Sequence, residues 1–264
     1  MTLNYYKHIC SAADRALLQS SLDKLCAWAT RSCLGLSVEK CCYFQLGYQN
    51  LVLIYRLNDD ELSPCNSIVD LGIKVHSNLK SGPHCSAIAS KAAARARLIL
   101  KSFLSRDHSI LTRAFVVYVR PLLEYCTPVW SPHYIKDIDI IENVQRTFTR
   151  NLFSLCRLEP VNYTERLKFL GLERLELRRI YADLTFMYKL THGLISSSLA
   201  QALCFSNTVT RGHAFKLFIY RCNRDVFKMF YLNRVAPIWN FLPTTCFSND
   251  SLVSFKHPVI AHRF

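Results

Sequence analysis

Residues 84–104, HCSAIASKAAARARLILKSFL, constrain the fold more than any other stretch. Turned by about 100° per residue, Cys85, Ile88, Ala89, Ala92, Ala96, Ile99, Leu100 and Phe103 share one arc, as on an amphipathic helix. Lys91, Arg95, Arg97 and Lys101 fall outside that arc, and the stretch holds no acidic residue. A helix with cations and no anion gains no intrahelical ion pairs. A phosphate backbone along that face would explain the pattern. A solvated helix face is the plainer alternative.

The charge of the whole chain points the same way. Residues 1–73 carry 6 Lys+Arg and 7 Asp+Glu, so the remaining residues carry 27 and 12, a net +15. A basic two-thirds behind a neutral start is the footprint of a polyanion binder. Half of the 264 residues are hydrophobic, which offsets the entropy of ordering and excludes disorder. No apolar run approaches the roughly 20 residues that span a bilayer. The start, MTLNYYKHIC, has no apolar core of a signal peptide. The expectation is a soluble, non-secreted protein with no membrane partner. Twelve cysteines show no C-x-x-C pair and no zinc-finger spacing, so they read as reduced, mostly buried thiols.

Periodicity divides the chain. Residues 11–30 read as a helix with Leu18, Leu22, Leu25 and Trp28 or Ala29 on one face. Strand character follows at Tyr43–Gly47 and Leu51–Tyr55, a turn at Asn58-Asp59-Asp60, and a second strand near Ser67–Val75. After the helix over 84–104 come helices over 107–119 and 134–152, the second with Arg146 and Arg150 away from its apolar face. Arg120–Pro132, with three prolines, reads as irregular but packed. Asn162 or Thr164 caps a short helix that stops at Gly171, and a longer helix over 173–191 ends at Gly193. A basic-aromatic helix is expected near Lys216–Tyr231. The fold class is therefore mostly α with a small N-terminal α+β piece.

No Gly-rich phosphate loop, H-E-x-x-H, G-x-S-x-G or Walker string is present, so the expected catalytic and metal-ligating sets are empty. Two strings imitate the paired carboxylates that hold two Mg²⁺ in polymerases. Asn58-Asp59-Asp60 reads as a surface turn, and Tyr181-Ala182-Asp183-Leu184 lies inside a periodic helix.

An ordered series of short strings gives a resemblance. They are Lys40-Cys41, Asp70-Leu71-Gly72-Ile73, Lys91-Ala92, Val119-Arg120-Pro121-Leu122-Leu123-Glu124-Tyr125 and Val129-Trp130-Ser131-Pro132. Then come Ile141-Glu142-Asn143-Val144-Gln145-Arg146, Phe148-Thr149, Tyr163 with Glu165-Arg166-Leu167, and Leu170-Gly171-Leu172. Leu175-Glu176, Arg178-Arg179, Asp183-Leu184, Tyr188-Lys189, Trp239-Asn240-Phe241-Leu242-Pro243 and Phe255-Lys256 complete the order. The chain resembles the C-terminal part of non-LTR retrotransposon reverse transcriptases of the jockey-like or chicken-repeat-like kind.

That resemblance implies part of a right-hand polymerase: a palm remnant over 1–76, a helical thumb-like domain over 77–159, and a helical C-terminal extension over 160–264. The family's Asp-Asp box lies upstream of the helix over 11–30, so the expectation is an RNA-directed DNA polymerase fragment without the catalytic aspartates. This chain alone is expected to extend no primer. It implies no cofactor here, with Mg²⁺ needed only by a full-length polymerase. The implied partners are RNA and DNA backbone and the missing palm and fingers of the same polyprotein. The implied location is a nuclear or cytoplasmic ribonucleoprotein. The residues expected to touch phosphates are Lys91, Arg95, Arg97, Lys101, Arg106 and Arg113, with Arg146 and Arg150 next. The alternatives are a host-recruited nucleic-acid-binding module and the tail of a longer, active polymerase.

Overall fold

The computed structural model describes residues 5–47, 54–206, 213–247 and 251–261. The chain separates into two compact units, the first up to Lys80 and the second from Ser81. It is mostly helical, with its strands confined to the first unit apart from one isolated bridge.

In the first unit, α1 (Ala12–Arg31) opens on a capping box between Ser11 and Asp14. Among the described residues, three two-stranded sheets follow. β1 (Cys42–Phe44) runs parallel to β4 (Ser63–Cys65), while β2 (Arg56–Leu57) pairs antiparallel with β3 (Asp60–Glu61). β5 (Ser67–Asp70) pairs antiparallel with β6 (Ile73–His76). The single strand expected over Ser67–Val75 is thus a hairpin, because Leu71 at φ +46° and Gly72 at φ +85° reverse the chain. Leu51, Val52 and Leu53 of the second expected run lie outside the described residues, and strand pairing starts only at Arg56. The core gathers Cys26, Tyr55, Leu57 and Leu62, with Leu18 and Leu22 against them. Gln19 fixes α1 to β2: its amide accepts from the Arg56 N–H at 3.0 Å and donates to the Arg56 carbonyl at 2.9 Å.

The second unit opens with α2 (Gly82–Ser102) and α3 (His108–Tyr118). Ala89, Ala92 and Ala96 are buried, and their small size lets α2 lie close on α6 (Ile135–Leu155). Phe115 of α3 stacks on Phe148 of α6 at 4.4 Å. The segment expected to be irregular instead forms two short helices, α4 (Arg120–Glu124) and α5 (Thr127–Trp130). Pro121 and Pro128 sit in their first turns, where a missing N–H costs nothing. Leu123 and Trp130 are buried, whereas Tyr125 is exposed. α7 (Tyr163–Leu170) carries a capping box between Asn162 and Glu165 and stops at Gly171, φ +63°.

α8 (Leu175–Thr191) is the central helix of this unit. It touches α4, α5 and α6, and also α11 (Tyr231–Phe241) and α12 (Leu252–Ala261). Leu184, Met187, Tyr188, Trp239 and Phe255 meet in its main core. The second unit therefore takes in residues from both the 77–159 and the 160–264 segments. The helix expected over Lys216–Tyr231 does not form. Leu217 instead bridges antiparallel to Phe205, and one short helix, α10 (Asp225–Lys228), follows the turn α9 (Ser198–Gln201) in chain order. Side chains of α11 take the backbone groups that a helix would have used, as described below.

Two buried histidines should make this unit acid-sensitive. His84 meets Trp130 edge to face at 5.0 Å, and His213 bonds the Trp239 carbonyl at 3.0 Å. Burial holds both below the ordinary histidine value of 6.5. The unfolded chain then binds more protons in mild acid, so this stability is full above about 6.5 and is lost as pH falls toward the folded values. Thermal melts should show a Tm that falls from about pH 7.5 to about pH 5.5, and His213→Gln should lessen the fall. A level profile counts against it.

Candidate nucleic-acid interface

The helical pair α2–α3 positions six of the eight expected residues. Between Gly82 and Tyr118 stand Lys91, Arg95, Arg97, Lys101, Arg106 and Arg113, against one acid, Asp107. Asp107 is engaged locally: its carboxylate accepts from the Ser109 N–H at 2.7 Å and caps α3. Burial of Cys85, Ala89, Ala92, Ala96 and Ile99 turns the four cations of α2 outward, and all four are exposed. Arg95 also donates to the Tyr118 carbonyl at 3.2 Å, at the negative end of α3. Arg97 borders a groove of about 310 Å³ between α2 and α6, with Ala93, Asn143, Thr147 and Asn151 on its walls. Arg106 is exposed on the connection, and Arg113 on the outer face of α3.

The two residues of α6 part company. Arg150 is exposed. Arg146 is half-buried, lies over the Tyr163 ring at 5.3 Å and faces Asp139 at 3.9 Å. Arg146 therefore belongs to the corner between α6 and α7.

Pairing separates the arginines into two sets. Glu124 receives two donors from Arg178 and faces Arg120 at 3.6 Å. Asp183 is bound by both terminal nitrogens of Arg234, which also donates to the Pro128 carbonyl at 2.7 Å. Glu142 is 2% exposed and accepts from the Tyr163 hydroxyl and, at 3.0 Å, from the Leu175 N–H. Among the described residues, Lys91, Arg95, Arg97, Lys101, Arg106, Arg113 and Arg150 form no ion pair. Exposed cations near no carboxylate keep their full charge for a polyanion.

The buried pairs are what sequence reading missed. Their trace is a charged residue set among apolar ones, such as Glu142 after Ile141 or Asp183 before Leu184. Many of the strings that carry the resemblance bond to one another. Glu124 meets Arg178, Gln145 donates to the Tyr163 hydroxyl at 3.1 Å, and Tyr163 reaches Glu142. The Trp239-Asn240 string binds residues outside the series: Trp239 donates to the Phe215 carbonyl at 2.7 Å, and Asn240 brackets Leu217, accepting from its N–H at 2.8 Å and donating to its carbonyl at 2.7 Å.

Among the described residues, no three His, Cys, Asp or Glu side chains come together as a metal site. Asp59 and Asp60 are exposed at the β2–β3 turn, and Asp183 carries Arg234 on both oxygens. These carboxylates do not fit the pair of Mg²⁺ ions that the resemblance implies for a complete polymerase. No described helix is long and apolar enough to cross a membrane.

Fold and site together define a mostly helical chain with an unpaired basic surface on a pair of helices. No protein-family model matches it. The uncharacterized protein B0403.1 of Caenorhabditis elegans is 25% identical over 128 residues, which is 48% of this chain and 65% of that protein. The matched region thus spans just under two thirds of that relative's length. No solved structure matches.

Proposed function

We propose that this chain is a portion of a non-LTR retrotransposon reverse transcriptase, and that its second unit holds RNA or DNA by the phosphate backbone without reading sequence. In this reading α2, α3 and α6 are thumb elements, and residues 1–76 are a palm remnant. One observation carries the binding role: the outward cations of α2–α3 form no ion pair among the described residues, while Glu124, Glu142 and Asp183 are bonded elsewhere. The bonds between the resemblance strings support the ancestry, because residues that match the family in order also meet in space.

Backbone contacts position without specifying, and each releases counterions. Binding of the full chain to a mixed-sequence duplex should weaken steeply with salt. The slope of log K against log[salt] is about −0.9 per phosphate neutralised, hence about −5 if all six cations of α2–α3 engage. Scrambling the sequence should leave the affinity unchanged. A flat salt response, or strong preference for one sequence, overturns the proposal.

A further inference from the structure

Residues 218–230 present rings and cations to solvent from a firmly held base. The bonds from Trp239 to Phe215 and from Asn240 to Leu217 pin an extended run against α11. Leu217 is buried, and the chain then turns outward: Phe218 is 53% and Tyr220 40% exposed. Their rings meet edge to face at 5.0 Å, and the Tyr220 hydroxyl donates to the Cys204 Sγ at 2.9 Å. Further on, Phe227 of α10 and Phe230 beyond it are 49% and 45% exposed. Arg221, Arg224 and Lys228 stand among them, exposed and in no ion pair among the described residues. Asp225 is the one acid of this segment.

Interleaved rings and cations select their complement. An apolar protein face would leave Arg221, Arg224 and Lys228 without partners, whereas a polyanion alone would leave the rings in water. A single nucleic-acid strand answers both, because its phosphates are charged and its unpaired bases offer flat faces. A duplex hides those faces in its own stack. We propose that Phe218, Tyr220, Phe227 and Phe230, with Arg221, Arg224 and Lys228, bind single-stranded RNA or DNA by base stacking and phosphate contact. This surface is separate from the α2–α3 helices and does not rest on the backbone-binding reading given above.

The test uses the full chain, a labelled mixed-sequence strand, and an abasic strand of equal length and charge. The wild type should prefer the base-bearing strand, with each stacked ring contributing about tenfold. Phe227→Ala/Phe230→Ala and Phe218→Ala/Tyr220→Ala should each cut that preference by about a hundredfold and leave affinity for the abasic strand unchanged. Replacing Lys91, Arg95, Arg97 and Lys101 by Ala should weaken both strands alike and leave the preference intact. A wild-type preference of one overturns the proposal without any variant. A preference that neither ring variant moves also overturns it. So does a dimer that the ring variants convert to monomer at unchanged preference, which marks the face as covered by a second copy. Binding to phosphatidylserine vesicles together with a preference of one marks it as a lipid surface and overturns it too.

Discussion

Lys91→Ala/Arg95→Ala/Arg97→Ala/Lys101→Ala should cost on the order of a thousandfold in duplex affinity at 0.1 M salt. The figure follows from four phosphate contacts at about 0.9 log units each per decade of salt, and the salt slope should flatten by about 3 to 4. Discrimination between sequences should not change, since backbone contacts carry none. The fold should hold: all four residues are exposed, and Ala is the best helix former, so stability should move by less than about 0.5 kcal/mol. Arg178→Ala is the matched control. It removes one positive charge, as Lys91→Ala alone does, but from the Glu124 pair, so it should lower stability and leave duplex affinity nearly unchanged. Electrophoretic shifts at several salt concentrations, with denaturant melts of each variant, decide the matter. A loss in the control equal to that of Lys91→Ala alone would mean that total charge governs binding and the helical pair does not.

The second large effect concerns Glu142. Glu142→Leu should destabilise the second unit by about 3–5 kcal/mol, because it breaks a buried charged network from one side. Three consequences add up. The Tyr163 hydroxyl loses its acceptor, the Leu175 N–H at the start of α8 loses its own, and Arg179 loses a neighbouring negative charge. Arg179 is buried, and neither terminal nitrogen has a hydrogen-bond partner among the described residues. Burial drives its pKa down while Glu142, Glu176 and Asp183 hold it up. Glu142→Gln keeps one acceptor oxygen and should cost less. In the double variant Glu142→Leu/Arg179→Leu the loss should fall short of the sum of the two single losses, since the buried cation leaves with its counter-charge. Urea melts read all four proteins, and full additivity would show that the two side chains act independently.

Much of the secondary structure was legible because its causes are local. Ser11 with Asp14, and Asn162 with Glu165, satisfy helix N-termini from within four residues, and Gly171 supplies the left-handed turn that ends α7. The alanine stripe of α2 shows its buried face for the same reason. The expected helix over Lys216–Tyr231 failed because its competitors are distant in sequence. Asn240 and Trp239 take the backbone groups of Leu217 and Phe215, and composition alone gives no hint of that competition. The segment around Pro121 and Pro128 misled in the opposite sense, since a proline that breaks a helix interior is welcome in a first turn.

By itself, the sequence determined α1, α2, α3, α6, α7 and α8, most of their limits, and the crowding of positive charge onto residues 82–118. Periodicity and capping act over one or two turns, and charge is a property of each residue. Only the tertiary structure decided which arginines are free. Arg178, Arg234 and Arg146 look no different from Arg95 or Arg113 along the chain. Each is taken up by Glu124, Asp183 or the Tyr163 ring, brought near by packing of helices far apart in sequence. A charge is available to a ligand only where folding brings no counter-charge to it.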